Sequence, residues 1–374
     1  MYRSIFPHNP GTDLDPQAAP PRSDAVPDAG PVRVGVIGLR HGARHVRGFE
    51  QATHSTVTAV CDLDPRRARE TAAQAAPGCL TTSRIDEVLA SSAVDAVVVS
   101  VPNHDHATVA EQALRAGKHV VVEKPMATTG RDAAALVALA DARGLTLAAF
   151  HDFRADPAHW AAHELVRSGA LGEVYFARTT WTRRDNAPGA LHSGSWYLDR
   201  SRAGGGVLLD LGTHRIDQVL WMLGFPEVVA VTGAVSRQLL SQRADGGGDV
   251  EDTACGTLQL AGGAVVQVET SFLGHVPRAE DVLLELRGSR GGLRVSNVGD
   301  SYRAYQLTMF GGRGGIHEQT TFPVLTGAPS LYEDFAAAVR TDSAPLCPGW
   351  HAAAVAGVID RMYAAARAVP AGRP

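Results

Sequence analysis

From Pro31 onward, short apolar runs alternate with helical stretches, and this alternation limits the fold more than any other property of the chain. Val32–Ile37 and Ser55–Cys61 read as strands, residues 95–101 as a third that is apolar throughout, and residues 145–150 as a later one. Between them a helix is expected after the first strand, through Phe49. Asp64-Pro65 opens another, the aspartate as N-cap and the proline at the first helical position. Further helices are expected over residues 104–116, closed by Gly117, and over 132–143. The valines of the run Gly117-Lys118-His119-Val120-Val121-Val122-Glu123-Lys124-Pro125 suit a strand buried on both faces, as in a parallel sheet. Strand and helix in turn, with short connections, predict a doubly wound α/β sheet of the Rossmann kind.

Such a sheet binds ligands beyond the carboxyl ends of its strands. Lys124 stands at such an end, where burial on both faces gives no structural reason for a lysine. Pro125 cannot donate to a sheet ladder, so the strand stops there. The first strand runs into Gly38-Leu39-Arg40-His41-Gly42-Ala43, where a dinucleotide-binding turn is expected. That turn ordinarily carries glycine two places after the first, and Arg40 occupies the place. Either Ala43 is the third small residue, or the turn is one residue short and Gly42 takes that part. Helix-start N–H groups would face an anion in both cases, with Arg40 and His41 adding charge. Asp62 closes the second strand where a ribose-binding acid belongs. A carboxylate there favours NAD over NADP, although Arg66 and Arg67 stand close by and leave NADP possible.

Beyond Phe150 the pattern changes. After a helix over 157–168, strands are expected at 172–182, 227–236, 252–260, 264–272, 281–287 and 292–295, joined by glycine-rich turns such as Ala261-Gly262-Gly263. This predicts a mostly antiparallel open sheet. Helices at 331–340 and 352–368 finish the chain. The organisation expected is a proline-punctuated, disordered or loosely docked arm over 1–30, a Rossmann domain over 31–150, a substrate and oligomerisation α+β domain over 151–330, and C-terminal helices over 331–374. A helix from Leu208 to Leu223 places Asp210, His214 and Asp217 on one face, bordering a buried stripe of Leu209, Ile216, Val219, Leu220 and Leu223. A histidine beside a carboxylate there would have a raised pKa and a fixed tautomer.

The chain has 374 residues, 45% hydrophobic, with 39 acidic against 35 basic side chains. A net charge of −4 gives no electrostatic case for nucleic acid or an anionic membrane. No apolar run is long enough for a membrane span, and the start of the chain does not read as a signal peptide. Cys61, Cys79, Cys255 and Cys347 are widely spaced, which suits a reduced cytoplasmic setting without structural zinc. His104, His106, His151, Asp152, His159 and His163 form no zinc-protease pattern, and no metal site is expected. Trp181, Trp196 and Tyr197, with Arg183, Arg184 and His192, could line a sugar pocket or serve packing.

Three separated motifs now carry a resemblance. The glycine turn with Asp62, the segment Val101-Pro102-Asn103-His104-Asp105-His106, and Gly117-Lys118-His119 with Glu123-Lys124-Pro125 are joined by Gly204-Gly205-Gly206 and Asp210-Leu211-Gly212-Thr213-His214-Arg215-Ile216-Asp217. Over about residues 31–370 the chain resembles the Gfo/Idh/MocA oxidoreductases, which include glucose–fructose oxidoreductase and inositol dehydrogenase. The resemblance implies that Lys124, Asp210 and His214 are catalytic. His214 would be the general base, Asp210 would orient and polarise it, and Lys124 would stabilise charge on the reacting oxygen. It implies cofactor contacts at Gly38, Arg40, His41, Gly42, Asp62, Pro102, Asn103, His106, Glu123, Lys124 and Pro125. Substrate contacts are expected at Lys124, Arg183, Trp196, Asp210 and His214. The family's Lys-Pro bond is often cis, and its open sheet pairs subunits into homodimers or homotetramers.

The function expected is an NAD(P)-dependent oxidoreductase moving a hydride between nicotinamide and a secondary hydroxyl or ketone of a sugar, cyclitol or glycoside. The alternatives are an NAD-dependent glycosidase of the same family and a catalytically silent nucleotide- or sugar-sensing regulatory protein.

Overall fold

The structure, a computed structural model, describes residues 30–184, 195–242, 248–313, 316–322 and 327–368. The expected arm and His192 lie outside the described residues. The first part runs β1 (Val32–Ile37), α1 (Leu39–Gln51), β2 (Ser55–Cys61), α2 (Pro65–Ala72), β3 (Leu80–Thr82), α3 (Ile85–Ala90), β4 (Ala96–Val99), α4 (Asn103–Arg115), β5 (His119–Glu123), α5 (Gly130–Arg143) and β6 (Leu147–Phe150). Its six strands are all parallel, in the order β3-β2-β1-β4-β5-β6. The order reverses at β1, so the crevice at the carboxyl ends of β1 and β4 is the switch point of a doubly wound sheet. Val97, Val98, Val99, Val120, Val121 and Val122 are all buried, as a sheet covered by helices on both faces requires.

The second part runs α6 (Pro157–Arg167), β7 (Val174–Arg184), α7 (Arg200–Ala203), α8 (Val207–Met222), β8 (Val228–Val231), β9 (Ala234–Ser236), α9 (Gln238–Ser241), β10 (Thr253–Leu260), β11 (Val265–Gly274), β12 (Glu280–Gly288), β13 (Gly292–Asn297), β14 (Tyr305–Arg313) and β15 (Ile316–Phe322). These strands form one sheet in the order β15-β14-β13-β12-β7-β11-β10-β8, with β9 also on β10. Pairing is antiparallel except between β7 and β11.

Several elements differ from the sequence reading. β3 and α3 were not expected, nor were β14 and β15, and the strand expected over 227–236 is broken into β8 and β9. α8 is not the half-solvated helix its spacing suggested. Every residue from Val207 to Met222 is buried except Asp210, because the second sheet, α6 and a final helix surround it. A helix buried all round with one partly open position marks that position as facing a cleft.

The chain ends in α10 (Leu331–Thr341) and α11 (Gly349–Ala368). Leu331 and Phe335 of α10 enter the core that holds Val34, Val36 and Phe49 of the first sheet. α11 gives Ala352 and Ala356 to that sheet's other core, and Val355, Ile359 and Met362 to the core of the second. Asp360 Oδ2 also accepts the Gly130 N–H at 2.8 Å.

Candidate active site

The glycine turn is one residue short. Gly38 has φ +85° and passes directly into α1, and a β-carbon there would lie 2.4 Å from the Ser100 carbonyl oxygen. Gly42, not Ala43, is the small residue that brings the helix onto the sheet: a β-carbon on it would fall 3.2 Å from Val36 and 3.3 Å from Ser100. Arg40 and His41 are exposed in the first turn of α1, which holds no acidic side chain. Helix-start N–H groups beside two basic side chains suit a pyrophosphate. Asp62 closes this cradle. Its Oδ2 accepts the Leu39 N–H at 2.7 Å, and its Oδ1 takes the Asp64 N–H at 2.9 Å and Arg67 Nη1 at 2.8 Å. A carboxylate accepts about four hydrogen bonds, so Asp62 retains capacity for a ribose hydroxyl. These residues fit a dinucleotide.

Glu123, His106, Asn103 and Pro125, all expected to contact the cofactor, are buried. Glu123 is 6% exposed, with His45 Nε2 at 2.7 Å and Arg44 Nη2 at 2.7 Å on its Oε1. Burial alone would raise its pKa, but the His45 hydrogen bond and the charges of His45, Arg44 and His41 hold the carboxyl well below the usual range. His106 is 1% exposed. Its two ring nitrogens meet the Pro125 and Val101 carbonyl oxygens, each at 2.7 Å, which leaves it no free atom for a ligand. Asn103 Nδ2 donates to the Ala203 carbonyl at 3.0 Å. Pro125 is buried, and the Lys124–Pro125 bond is cis. Pro102, partly exposed, is the N-cap of α4.

Lys124 stands at the carboxyl end of β5, and α8 presents Asp210 to it. Nζ lies 2.5 Å from Asp210 Oδ1, with both side chains less than one-fifth exposed. Burial works against both charges. The attraction between them outweighs it, raising the lysine and lowering the carboxyl, so the pair is ionised at neutral pH. The start of α8 is fixed by Glu251, which the sequence reading did not single out. Its Oε1 accepts the N–H groups of Gly206 at 2.9 Å and Leu208 at 3.1 Å, and the Tyr363 hydroxyl at 2.6 Å. No spacing marks this residue, because it reaches α8 from the segment before β10.

Two expectations about α8 are corrected. Asp210 is bound to Lys124, and among the described residues the carboxylate within ion-pair range of His214 is Asp152, with Oδ1 3.8 Å from Nδ1. The pKa of His214 is also depressed where the sequence suggested an elevated one. The ring is buried, and the charges of Lys124 and Arg215 add to that effect, so it falls well below the usual histidine value and His214 is neutral. Asp217 serves another purpose: it holds the fully buried Arg154 through two hydrogen bonds of 2.5 and 3.0 Å.

Of the expected substrate residues, Arg183 sits 3.2 Å from Glu280 and adds to the positive field on Asp210. Trp196 stacks on Tyr197 at 3.9 Å between ring centres, and Tyr197 is partly open and electrostatically coupled to Lys124 and Asp210. Trp181 belongs to the core, 2% exposed, with its indole N–H donated to Glu280 at 2.6 Å. Arg184 donates to the Pro277 carbonyl oxygen at 3.2 Å.

A Rossmann sheet with this cradle and an ionised lysine–carboxylate pair at its switch-point crevice defines a class: the dinucleotide-dependent oxidoreductases. Comparison with known proteins is more specific. Residues 32–151 match the oxidoreductase family NAD-binding Rossmann fold of Gfo/Idh/MocA proteins, and residues 159–294 match the Gfo/Idh/MocA C-terminal domain. The chain belongs to the Gfo/Idh/MocA oxidoreductase family. It is 32% identical to a 1,5-anhydro-D-fructose reductase of Ensifer adhaerens, over 71% of this chain and 76% of that one. It is 30% identical to a dTDP-3,4-didehydro-2,6-dideoxy-alpha-D-glucose 3-reductase of Streptomyces violaceoruber, over 83% and 85%. Among solved structures, GenD2 from gentamicin A biosynthesis in complex with NAD is similar with a TM-score of 0.72 and 26% identity, covering 91% of this chain and 95% of that one.

Proposed function

We propose that the protein is an NAD(P)-dependent dehydrogenase or reductase acting on a secondary hydroxyl or ketone of a sugar, cyclitol or glycoside. The observation that carries this reading is the ionised Lys124–Asp210 pair, at 2.5 Å, where β5 meets the one open position of α8. Sugar-reductase relatives at 30–32% identity support the substrate class. A nicotinamide bound in the cradle of Gly38, Gly42 and Asp62 would supply the hydride acceptor for oxidation and the hydride donor for reduction. The chain's residues do the rest. Lys124 donates a hydrogen bond to the reacting oxygen and stabilises negative charge there. Asp210 keeps Lys124 charged and aimed. His214, neutral before reaction, takes the hydroxyl proton in oxidation and returns it in reduction. Arg183, Tyr197 and Trp196 stand on the substrate side.

Asp62 favours NAD, while its ion pair with Arg67 offsets part of the charge that would repel a 2′-phosphate. The exposed apolar side chains of Tyr175, Val229, Val235 and Val265 on the second sheet support self-association into a homodimer or homotetramer. Four unpaired thiols support a cytoplasmic setting. No helix among the described residues is long and apolar enough to cross a membrane. Net NADH or NADPH formation on a panel of sugars, cyclitols and glycosides tests the proposal. Release of an aglycone with no net reduction of nucleotide would replace it with the glycosidase reading, and turnover of none would replace it with the regulatory one.

A further inference from the structure

Asp152 lies two residues beyond β6, at the carboxyl end of the strand next to β5, and neither the cofactor cradle nor the lysine pair uses it. Its Oδ1 is buried without a hydrogen-bond partner and lies 3.8 Å from His214 Nδ1. Its Oδ2 lies 3.6 Å from Arg44 Nη1, and the other guanidinium end, Nη2, is bonded to Glu123 Oε1 at 2.7 Å. One arginine of α1 therefore spans two carboxylates, one next to Lys124 in sequence and the other beside His214. The imidazole is confined edge-on by Phe153, at 4.9 Å between centres, and by the tilted ring of Trp181 at 5.7 Å. The titratable and charged groups facing it are Lys124 and Glu123 from the end of β5, His151 and Asp152 from the end of β6, and Arg215 from its own helix.

We propose, resting on the function above, that Asp152 is the positioning residue of the base: it holds His214 as the Nδ1–H tautomer, leaving Nε2 for the substrate proton, and Arg44 sets its position. A buried carboxylate oxygen lacking a donor is costly, and the Nδ1–H is the group placed to supply one. At 3.8 Å the contact is an ion-pair distance, longer than a hydrogen bond. Such contacts tighten when the substrate complex forms. Because α1 starts at the dinucleotide turn, Arg44 ties the cofactor cradle to the base through Asp152.

The test uses full-length protein with ¹⁵N-labelled histidine, saturated with NAD, and His214 assigned from the signal lost in His214→Gln. The wild type is expected to show the Nδ1–H pattern at His214. Asp152→Asn, with nucleotide affinity as in the wild type, is expected to convert it to the Nε2–H or a mixed pattern. Turnover of a sugar substrate should fall roughly 10- to 100-fold in kcat, with KM nearly unchanged and the acid limb moved to lower pH. Asp152→Glu should recover part of the loss. Should Asp152→Asn lose nucleotide binding and with it the fold, Arg44→Gln carries the tautomer test alone, with a smaller change of the same sign. Unchanged His214 nitrogen signals in the variant would overturn the proposal. If the wild type turns over no sugar, the function fails, and the tautomer measurement still decides the role of Asp152.

Discussion

Lys124 depends on Asp210 for its charge and its aim, and the reverse also holds, because both are largely shielded from water and their mutual attraction offsets that burial. Lys124→Ala should therefore lower turnover by at least about 10³-fold while leaving nucleotide affinity within a few fold, as kinetics and a fluorescence titration would show. The depressed pKa of His214 gives a second prediction. Its base form persists on acidification past the ordinary histidine value of 6.5, so the acid limb of kcat/KM for sugar oxidation should lie below that value. A limb at or above it, in a pH profile of the wild type, would remove His214 as the base. Both residues stand out in the sequence because a lysine ending a valine strand and a histidine one turn after an aspartate have no packing purpose. Their pairing did not, since helical spacing puts Asp210 and His214 on one face and says nothing of the lysine arriving from β5. Asp152 was visible only as a neighbour of His151, and its partners come from α1 and α8, which no local pattern connects.

Among the elements, α8 is the one the site hangs on, and Glu251 fixes its start. Glu251→Ala strips a buried cap from two N–H groups and a tyrosine hydroxyl. The expected loss is about 2–4 kcal/mol in denaturant unfolding, together with reduced turnover, because Asp210 and His214 ride on the same helix. Asp217→Ala should cost about 3–5 kcal/mol by the same measurement, as it leaves the Arg154 guanidinium buried and uncompensated. The strands and helices that form the cofactor crevice were legible, since valine runs, the Asp64-Pro65 cap and Gly117 are local signals. β3 has three residues and too little pattern to read. β14 carries Gly311 and Gly312, which interrupt the alternation that would have marked it. The depth of α8 was hidden too, because its polar residues Asp210, His214, Arg215, Asp217 and Gln218 look like a wet face. All but Asp210 are buried, because elements distant in sequence cover the helix.

The whole molecule is joined by its last two helices, with α10 closing one face of the first sheet and α11 feeding both cores. Distance along the chain hides such docking from any local reading. Neutral buried histidines set its response to acid. The pKa values of His151, His159 and His214 are lowered by burial, so the unfolded chain takes up protons near 6.5 before the folded protein does. Stability is then fully held above that pH and lost as pH falls below it. Thermal melts should show Tm level above about pH 7 and several degrees lower by about pH 5. A Tm that rises on acidification would contradict this assignment of charge. Turnover requires nucleotide and lysine acting together. The deciding measurement is nucleotide reduction across sugars and cyclitols by the wild type and Lys124→Ala, at matched NAD saturation. Net NADH is expected from the wild type on at least one secondary alcohol, and almost none from the variant. Equal rates from the two would contradict that requirement.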